Sequence, residues 1–174
     1  DLLLGTVSVN SEAAMLHVGK IYRLLGLAVS PDDCGLALRG MQTLGVRLAQ
    51  LEKSTLTVAK WLKARREVSL VLHPAFADCP GHDIWKRDFT GSASVFSIVF
   101  KNDRTNDRIM RFVDGLRLFK IGYSWGGVVS LVMAYESLNR SVRNYGRQLV
   151  RLNIGLEEPQ DLIQDIEQAM QNAK

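Results

Sequence analysis

The chain has 174 residues, 47% of them hydrophobic and 23% charged, which suits one domain with a real core, or one domain and part of another, and excludes a disordered tail. Its 22 basic and 18 acidic side chains leave a net charge of +4, and the arginines are scattered rather than blocked, so no nucleic-acid stripe stands out. Two cysteines, Cys34 and Cys79, make no secreted disulfide framework. No run reaches the roughly 20 apolar residues of a membrane span and no signal peptide is visible, so a cytoplasmic protein with no membrane partner is expected.

The chain opens "DLLLGTVSVN", without Met and directly in an apolar run, and is expected to be cut inside a fold. "LLLGTVSV" reads as a buried strand. Ser11 is placed to cap a helix over "EAAMLHVGKIYRLLG", with Met15, Val18, Tyr22 and Leu25 on one face and Gly26 as its stop. "SPDD" starts the next helix: Ser30 caps, Pro31 fits the first turn, and Asp32 and Asp33 meet the positive end of the dipole. An apolar stripe through Met41, Leu44, Leu48, Leu51, Thr55, Ala59 and Leu62 carries that helix far, with Gly40 and Gly45 as points of bending. A long helix of this kind connects lobes, and a domain boundary is placed near residue 60, giving 1–60 and 61–174.

Beyond the boundary, "VSLVLHP", "SVFSIVFK", "LRLFKIGY" and "QLVRLNIG" read as strands, while "NDRIMRFVDG" and "EEPQDLIQDIEQAM" read as helices. The first of these helices puts Ile109, Phe112 and Val113 on one face; the second is apolar at Leu162, Ile163, Ile166 and Met170. The stretch "VVSLVMAYESL" is compatible with helix or strand. This alternation predicts an α/β fold with a small sheet covered by helices.

Three stretches could carry chemistry. In "QLVRLNIG", Val150, Leu152 and Ile154 share the buried strand face, so Arg151 points to the other face beside Leu149 and Asn153. An arginine inside an apolar strand needs a negative partner, and its planar fork suits a carboxylate; an internal Asp or Glu would satisfy it equally. "YSWGG" (Tyr123 to Gly127) combines glycines that free the backbone with two aromatics and a hydroxyl; it is either a pocket wall or a core-filling turn. "GHDIWKRDFTGS" (Gly81 to Ser92) reads as an ordered loop anchored by Trp85 and Phe89, and His82 with Asp88 forms only a weak acid–base candidate. His73, Cys79 and His82 lack tight ligand spacing, so no metal is expected.

Taken in order, "LRGMQTLGVRLAQ", "VAKWL", "HPAF", "GHDIWKRDFTGS", "YSWGG" and "LVRLNIGLEE" resemble the C-terminal part of the cystathionine β-lyases, in the pyridoxal-phosphate-dependent family of cysteine and methionine metabolism. The resemblance covers nearly the whole chain. It implies the C-terminal portion of an aminotransferase-like, fold type I enzyme, with 1–60 closing the large cofactor-binding domain and 61–174 forming the small one. It implies pyridoxal 5'-phosphate as cofactor, an amino-acid substrate, and a cytoplasmic homotetramer that eliminates homocysteine from cystathionine in methionine biosynthesis and transsulfuration, with no nucleic-acid partner. Arg151 is implied as the clamp on the substrate α-carboxylate. Ser124 is implied to help hold that carboxylate and the cofactor lysine, and Tyr123 and Trp125 to line the entrance. Ser124 and Tyr123 are therefore the catalytic candidates, and Arg151, Ser124, Trp125 and Tyr123 the substrate-binding ones. The Schiff-base lysine of the family precedes a Gly-His-Ser-Asp run whose Asp matches Asp1, so no cofactor-binding residue is expected in the chain, and the isolated chain is expected to be inactive. Val128 and Val129 stand where the β-lyases carry an aromatic and a glutamate. A cysteine-S-conjugate β-lyase and a catalytically inactive truncated domain remain as alternatives.

Overall fold

The computed structural model describes residues 2, 4–101, 106–135 and 143–173. It divides into two compact units, Asp1–Val46 and Arg47–Lys174.

In the first unit the helix signals act as written. The Ser11 hydroxyl accepts the Ala14 amide at 3.3 Å and starts α1 (Glu12–Leu24). Gly26, at φ 62°, ends it with its own amide on Arg23 and the Leu27 amide on Tyr22, the paired bonds that close a helix on a left-handed residue. Ser30 accepts the Asp33 amide at 3.0 Å and starts α2 (Pro31–Met41).

Two expectations fail here. The first is the strand over 2–9. Residues 2 and 4–9 carry no regular structure, and Leu3 lies outside the described residues. A strand exists only through its hydrogen-bonded neighbour, and no described strand pairs with this run. The second is the continuous helix, which breaks at Gln42 and Thr43 into α2 and α3 (Leu44–Lys63). The Thr43 amide turns back onto the Gly40 carbonyl at 3.3 Å, between the two glycines that weaken the helix. The apolar stripe divides with it: Met41, Leu44 and Leu48 are exposed, whereas Leu51, Thr55, Ala59 and Leu62 are buried. Neither α1 nor α2 buries a residue.

The second unit is built on a five-stranded sheet of order β1-β2-β5-β4-β3. Its strands are β1 (Val68–Leu72), β2 (Val95–Phe100), β3 (Lys120–Ile121), β4 (Leu131–Ala134) and β5 (Leu149–Asn153). Pairing is antiparallel except between β3 and β4. The third expected strand thus shrinks to two residues, and the ambiguous "VVSLVMAYESL" is a strand at Leu131–Ala134, its last residues, 136–138, lying outside the described residues. Phe96, Ile98, Val132, Val150 and Leu152 join one apolar cluster with Val58 and Leu62 of α3, Ile109, Phe112 and Val113 of α5 (Asn106–Gly115), and Leu162, Ile166 and Ala169 of α6 (Pro159–Asn172). The buried face expected for β5 is present, with Val150 and Leu152 fully buried in that cluster, but the opposite face is covered as well, Leu149 and Asn153 being 7% and 1% exposed.

The "GHDIWKRDFTGS" stretch is not a loop throughout: His82–Asp88 forms a helix, α4. Its charges run with the helix dipole, Asp83 in the first turn and Lys86 and Arg87 in the last. Trp85 does anchor it, donating Nε1–H to the Gly91 carbonyl at 3.0 Å. Phe89, expected to anchor it as well, is 62% exposed. The loop after α4 is held instead by Glu52 of α3, whose Oε1 accepts the Ser92 amide at 2.7 Å and the Ser92 hydroxyl at 2.9 Å.

A buried carboxylate ties α6 to the connection between α5 and β3. Asp165, 6% exposed, accepts the amides of Arg117 and Leu118 at 2.9 Å each and the Gln168 side-chain amide at 3.0 Å. Asp165→Ala leaves those amides without a charged acceptor and is expected to cost roughly 1.5–3 kcal/mol. Urea unfolding followed by circular dichroism checks this; a loss below about 0.5 kcal/mol would place the tie elsewhere.

Candidate functional site

The chain's chemistry gathers where the connection between β3 and β4 meets β5. Parallel neighbours ordinarily need a crossover of a dozen or more residues. Here the strands share only the pairs Lys120–Leu131 and Ile121–Val132, so the chain returns through residues 122–130, and "YSWGG" is the crest of that arch. Along the arch Tyr123 and Trp125 are 66% and 67% exposed, and Ser124 is exposed beside them. Gly126 sits at φ 75°, in the left-handed region that side chains avoid.

Arg151 is half-buried on the central strand β5, paired across the backbone with Ser97 of β2 and Met133 of β4. Its Nη2 donates to the carbonyls of Gly122 at 3.2 Å, Tyr123 at 2.6 Å and, more weakly, Ser124 at 3.5 Å. No carboxylate among the described residues pairs with it. The choice left open by the strand pattern is thereby narrowed. The arginine is oriented by neutral carbonyls, its charge is not matched by a described acid, and its Nε and Nη1 make no hydrogen bond to another described residue. A guanidinium held in this way suits a carboxylate.

The rest of the arch is fastened by residues that the motifs did not single out. Asn153, beside Arg151 on the same face, accepts the Gly126 amide at 2.9 Å and donates to the Val129 carbonyl at 3.2 Å. Glu157 accepts the Ser130 amide and the Ser130 hydroxyl, each at 2.8 Å, and the Ser130 oxygen accepts the Gly155 amide at 2.8 Å. A signal for Asn153 was present in the alternation of β5, which put a polar residue inside a strand beside Arg151. Nothing in the sequence linked Glu157 to Ser130.

The sequence candidates therefore fall into two groups. Arg151, Tyr123, Ser124 and Trp125 are brought together at the arch, with Ser124 and Tyr123 contributing backbone carbonyls to the arginine. His82 and Asp88 are not brought together. His82 Nδ1 lies 2.8 Å from the Pro74 carbonyl and Asp88 pairs with Arg87. Among the described residues no three metal-ligating side chains converge, and no helix is long and apolar enough to cross a membrane. A cavity of about 300 Å³ lined by Trp61, Arg65, Glu167 and Met170 shares no residue with the arch.

His73 has a separate chemistry. It is fully buried, its Nδ1 accepts the Ala75 amide at 3.2 Å, and its Nε2 meets no partner among the described residues. Burial lowers its pKa below the ordinary 6.5, with Glu52 acting weakly in the opposite sense. The unfolded chain therefore binds the proton first on acidification. The stability this group contributes is present above the unfolded-state value near 6.5 and lost as pH falls from there through the lower folded-state value. Unfolding free energies measured between about pH 8 and pH 5 are expected to fall with pH, and less steeply in His73→Asn, which keeps an acceptor for Ala75; equal slopes would clear His73 of the effect.

Comparison with known proteins adds a likeness along the chain. Residues 1–171 match the sequence profile described as Cys/Met metabolism PLP-dependent enzyme. A protein of Rhizobium johnstonii named putative cystathionine beta-lyase is 41% identical over 172 residues, covering 96% of this chain and 43% of that protein. Cystathionine beta-lyase MetC of Escherichia coli is 39% identical over 173 residues, covering 96% and 44%. Among solved structures, metB from Corynebacterium glutamicum superposes with a TM-score of 0.82 at 28% identity, covering 95% of this chain and 44% of that one. The chain thus spans less than half the length of these relatives.

Proposed function

The chain belongs to the Cys/Met metabolism PLP-dependent enzyme family, and from that premise we propose that it forms the substrate-carboxylate side of a carbon–sulfur lyase acting by β-elimination. The substrate is cystathionine, the products are homocysteine, pyruvate and ammonia, and the place is methionine biosynthesis in the cytoplasm, in a homotetramer. The observation that carries the reading is Arg151: a half-buried guanidinium on the central strand, aimed by the Gly122 and Tyr123 carbonyls and matched by no described acid. The relatives named cystathionine beta-lyase support the choice of reaction.

In this reading Arg151 binds the α-carboxylate and fixes the amino acid's orientation. Ser124 steadies that carboxylate and serves, with Tyr123, as a catalytic group, while Tyr123 and Trp125 wall the entrance. Pyridoxal phosphate, when bound, supplies the electron sink that elimination requires. The residues at the arch do not fit that group. Asn153, Ser130 and Glu157 are taken up by backbone and by one another. Lys120, the lysine of β3, donates to the Arg117 carbonyl. The arch offers a carboxylate receptor and no amine for an aldehyde. We accordingly assign residues 1–60 to the end of the cofactor-binding domain, residues 61–174 to the small domain, and no elimination to the isolated chain.

A cysteine-S-conjugate lyase is the second reading, favoured by Val128 and Val129, which are 56% and 44% exposed and present apolar surface where the resembling β-lyases carry an aromatic and a glutamate. Pyruvate release by the complete protein with pyridoxal phosphate, from cystathionine and from S-alkyl cysteines in parallel, separates the two. Absence of pyruvate from both would overturn the assignment to β-elimination.

A further inference from the structure

Asn153 lies two residues along β5 from Arg151, on the same face, and is 1% exposed. Its Oδ1 accepts the Gly126 amide and the Ser94 hydroxyl, each at 2.9 Å, and its Nδ2 donates to the Val129 carbonyl at 3.2 Å. The amide has one workable orientation, because exchanging its oxygen and nitrogen would set donor against donor at Gly126 and acceptor against acceptor at Val129. Arg151 meanwhile holds the carbonyls of Gly122, Tyr123 and Ser124. Neighbouring side chains of one strand face thus grip the two arms of the arch, and Trp125 sits between the grips. The anchorage differs in kind on the two sides. Arg151 must keep donors for a ligand, whereas Asn153 is buried and neutral, with both its oxygen and its nitrogen bonded within the protein. It is the part of the pair that can stay in place while the other binds.

We propose that Asn153 is a positioning residue: it fixes the Gly126–Val129 arm against β5, so that the Arg151 fork, Ser124 and Trp125 meet the substrate in a single geometry. The proposal rests on the carboxylate-clamp reading of Arg151. It assigns Asn153 no contact with substrate and no part in proton transfer; its effect reaches the site through the arch.

The test uses the complete protein loaded with pyridoxal phosphate and the variant Asn153→Leu, which keeps the branching and number of side-chain heavy atoms and removes every side-chain hydrogen bond. Amide hydrogen exchange of the 122–130 segment is expected to quicken by about tenfold or more, with β2 and α6 unchanged. KM for cystathionine is expected to rise by about tenfold while kcat stays within roughly threefold. Ser94→Ala releases the same Oδ1 without touching the arch, and is expected to leave both readouts within about twofold. Should Asn153→Leu fail to fold, Asn153→Ser takes its place with the same direction expected in both readouts. Unchanged exchange in the arch, a loss confined to kcat, or equal damage from Ser94→Ala would overturn the proposal. The exchange arm stands apart from the enzymology: if cystathionine is not a substrate, or Arg151→Ala leaves KM unchanged, the clamp reading fails while exchange still decides whether Asn153 holds the arch.

Discussion

Arg151→Ala in the complete protein is expected to lower kcat/KM for cystathionine by roughly thirtyfold to several thousandfold, the equivalent of about 2–5 kcal/mol for truncating one partner of a desolvated, hydrogen-bonded charge pair. Most of the loss is expected in KM, because a carboxylate that stays charged throughout the reaction is bound alike in ground and transition states. Arg151→Lys separates charge from geometry. An ammonium keeps the attraction but has no planar fork: its donors radiate from one atom, so it cannot offer two parallel N–H bonds to a carboxylate while keeping the Tyr123 carbonyl, 2.6 Å from Nη2 here. An intermediate loss is therefore expected for lysine. Steady-state kinetics on the three proteins decide the matter. Equal kcat/KM in wild type and Arg151→Ala would remove the arginine from the site, and a lysine variant equal to wild type would show that charge alone is used.

The placement of Arg151 opposite the buried strand face was within reach of the sequence because a strand alternates strictly, while its role on a carboxylate is what the family resemblance implies. Val150, Leu152 and Ile154 on one face force Arg151 and Asn153 onto the other, and all three apolar side chains are fully buried. Helix starts were equally legible, since Ser11 and Ser30 act within three residues of themselves. What the sequence hid depends on partners distant along the chain. The opening apolar run has strand composition, but strand formation is decided by a neighbour that no local pattern reveals. Helix α4 is too short for apolar periodicity, and only its charge order, Asp83 before Lys86 and Arg87, marks it. Glu52, Glu157 and Asp165 each hold backbone amides 27 or more residues away. An acid engaged in that way has the same sequence signature as one facing solvent. The resemblance located the arch, while the structure shows what holds it.

Gly155→Ala is expected to be the most damaging single-methyl change near the arch. A Cβ at this position would lie 2.4 Å from the Val128 carbonyl oxygen, 2.7 Å from the Ser130 nitrogen and 2.3 Å from Glu157 Oε2. A flexible carboxylate could move aside, but Glu157 is bonded twice to Ser130, and the other two atoms are backbone. Relief must come from separating the end of β5 from the 128–130 segment. That movement strains the bonds joining them: Leu156 amide to Val128 carbonyl at 2.9 Å, Gly155 amide to Ser130 hydroxyl at 2.8 Å, and Glu157 to Ser130. Overpacking alone costs about 1–3 kcal/mol, and each hydrogen bond lost adds roughly 0.5–1.5 kcal/mol. The same displacement carries the arch away from Arg151, so kcat/KM falls along with stability. Two neighbouring glycines serve as controls, because a methyl added at either would meet no atom within 4 Å. Gly126→Ala meets only the left-handed backbone at φ 75°, a strain of about 1–2 kcal/mol, and Gly127→Ala meets neither obstacle. Thermal unfolding and kcat/KM of the three variants should therefore rank the damage as Gly155 above Gly126 above Gly127. A Gly155 variant no worse than Gly127 would mean that the arch can leave β5 freely, and that its hold on the substrate comes from elsewhere.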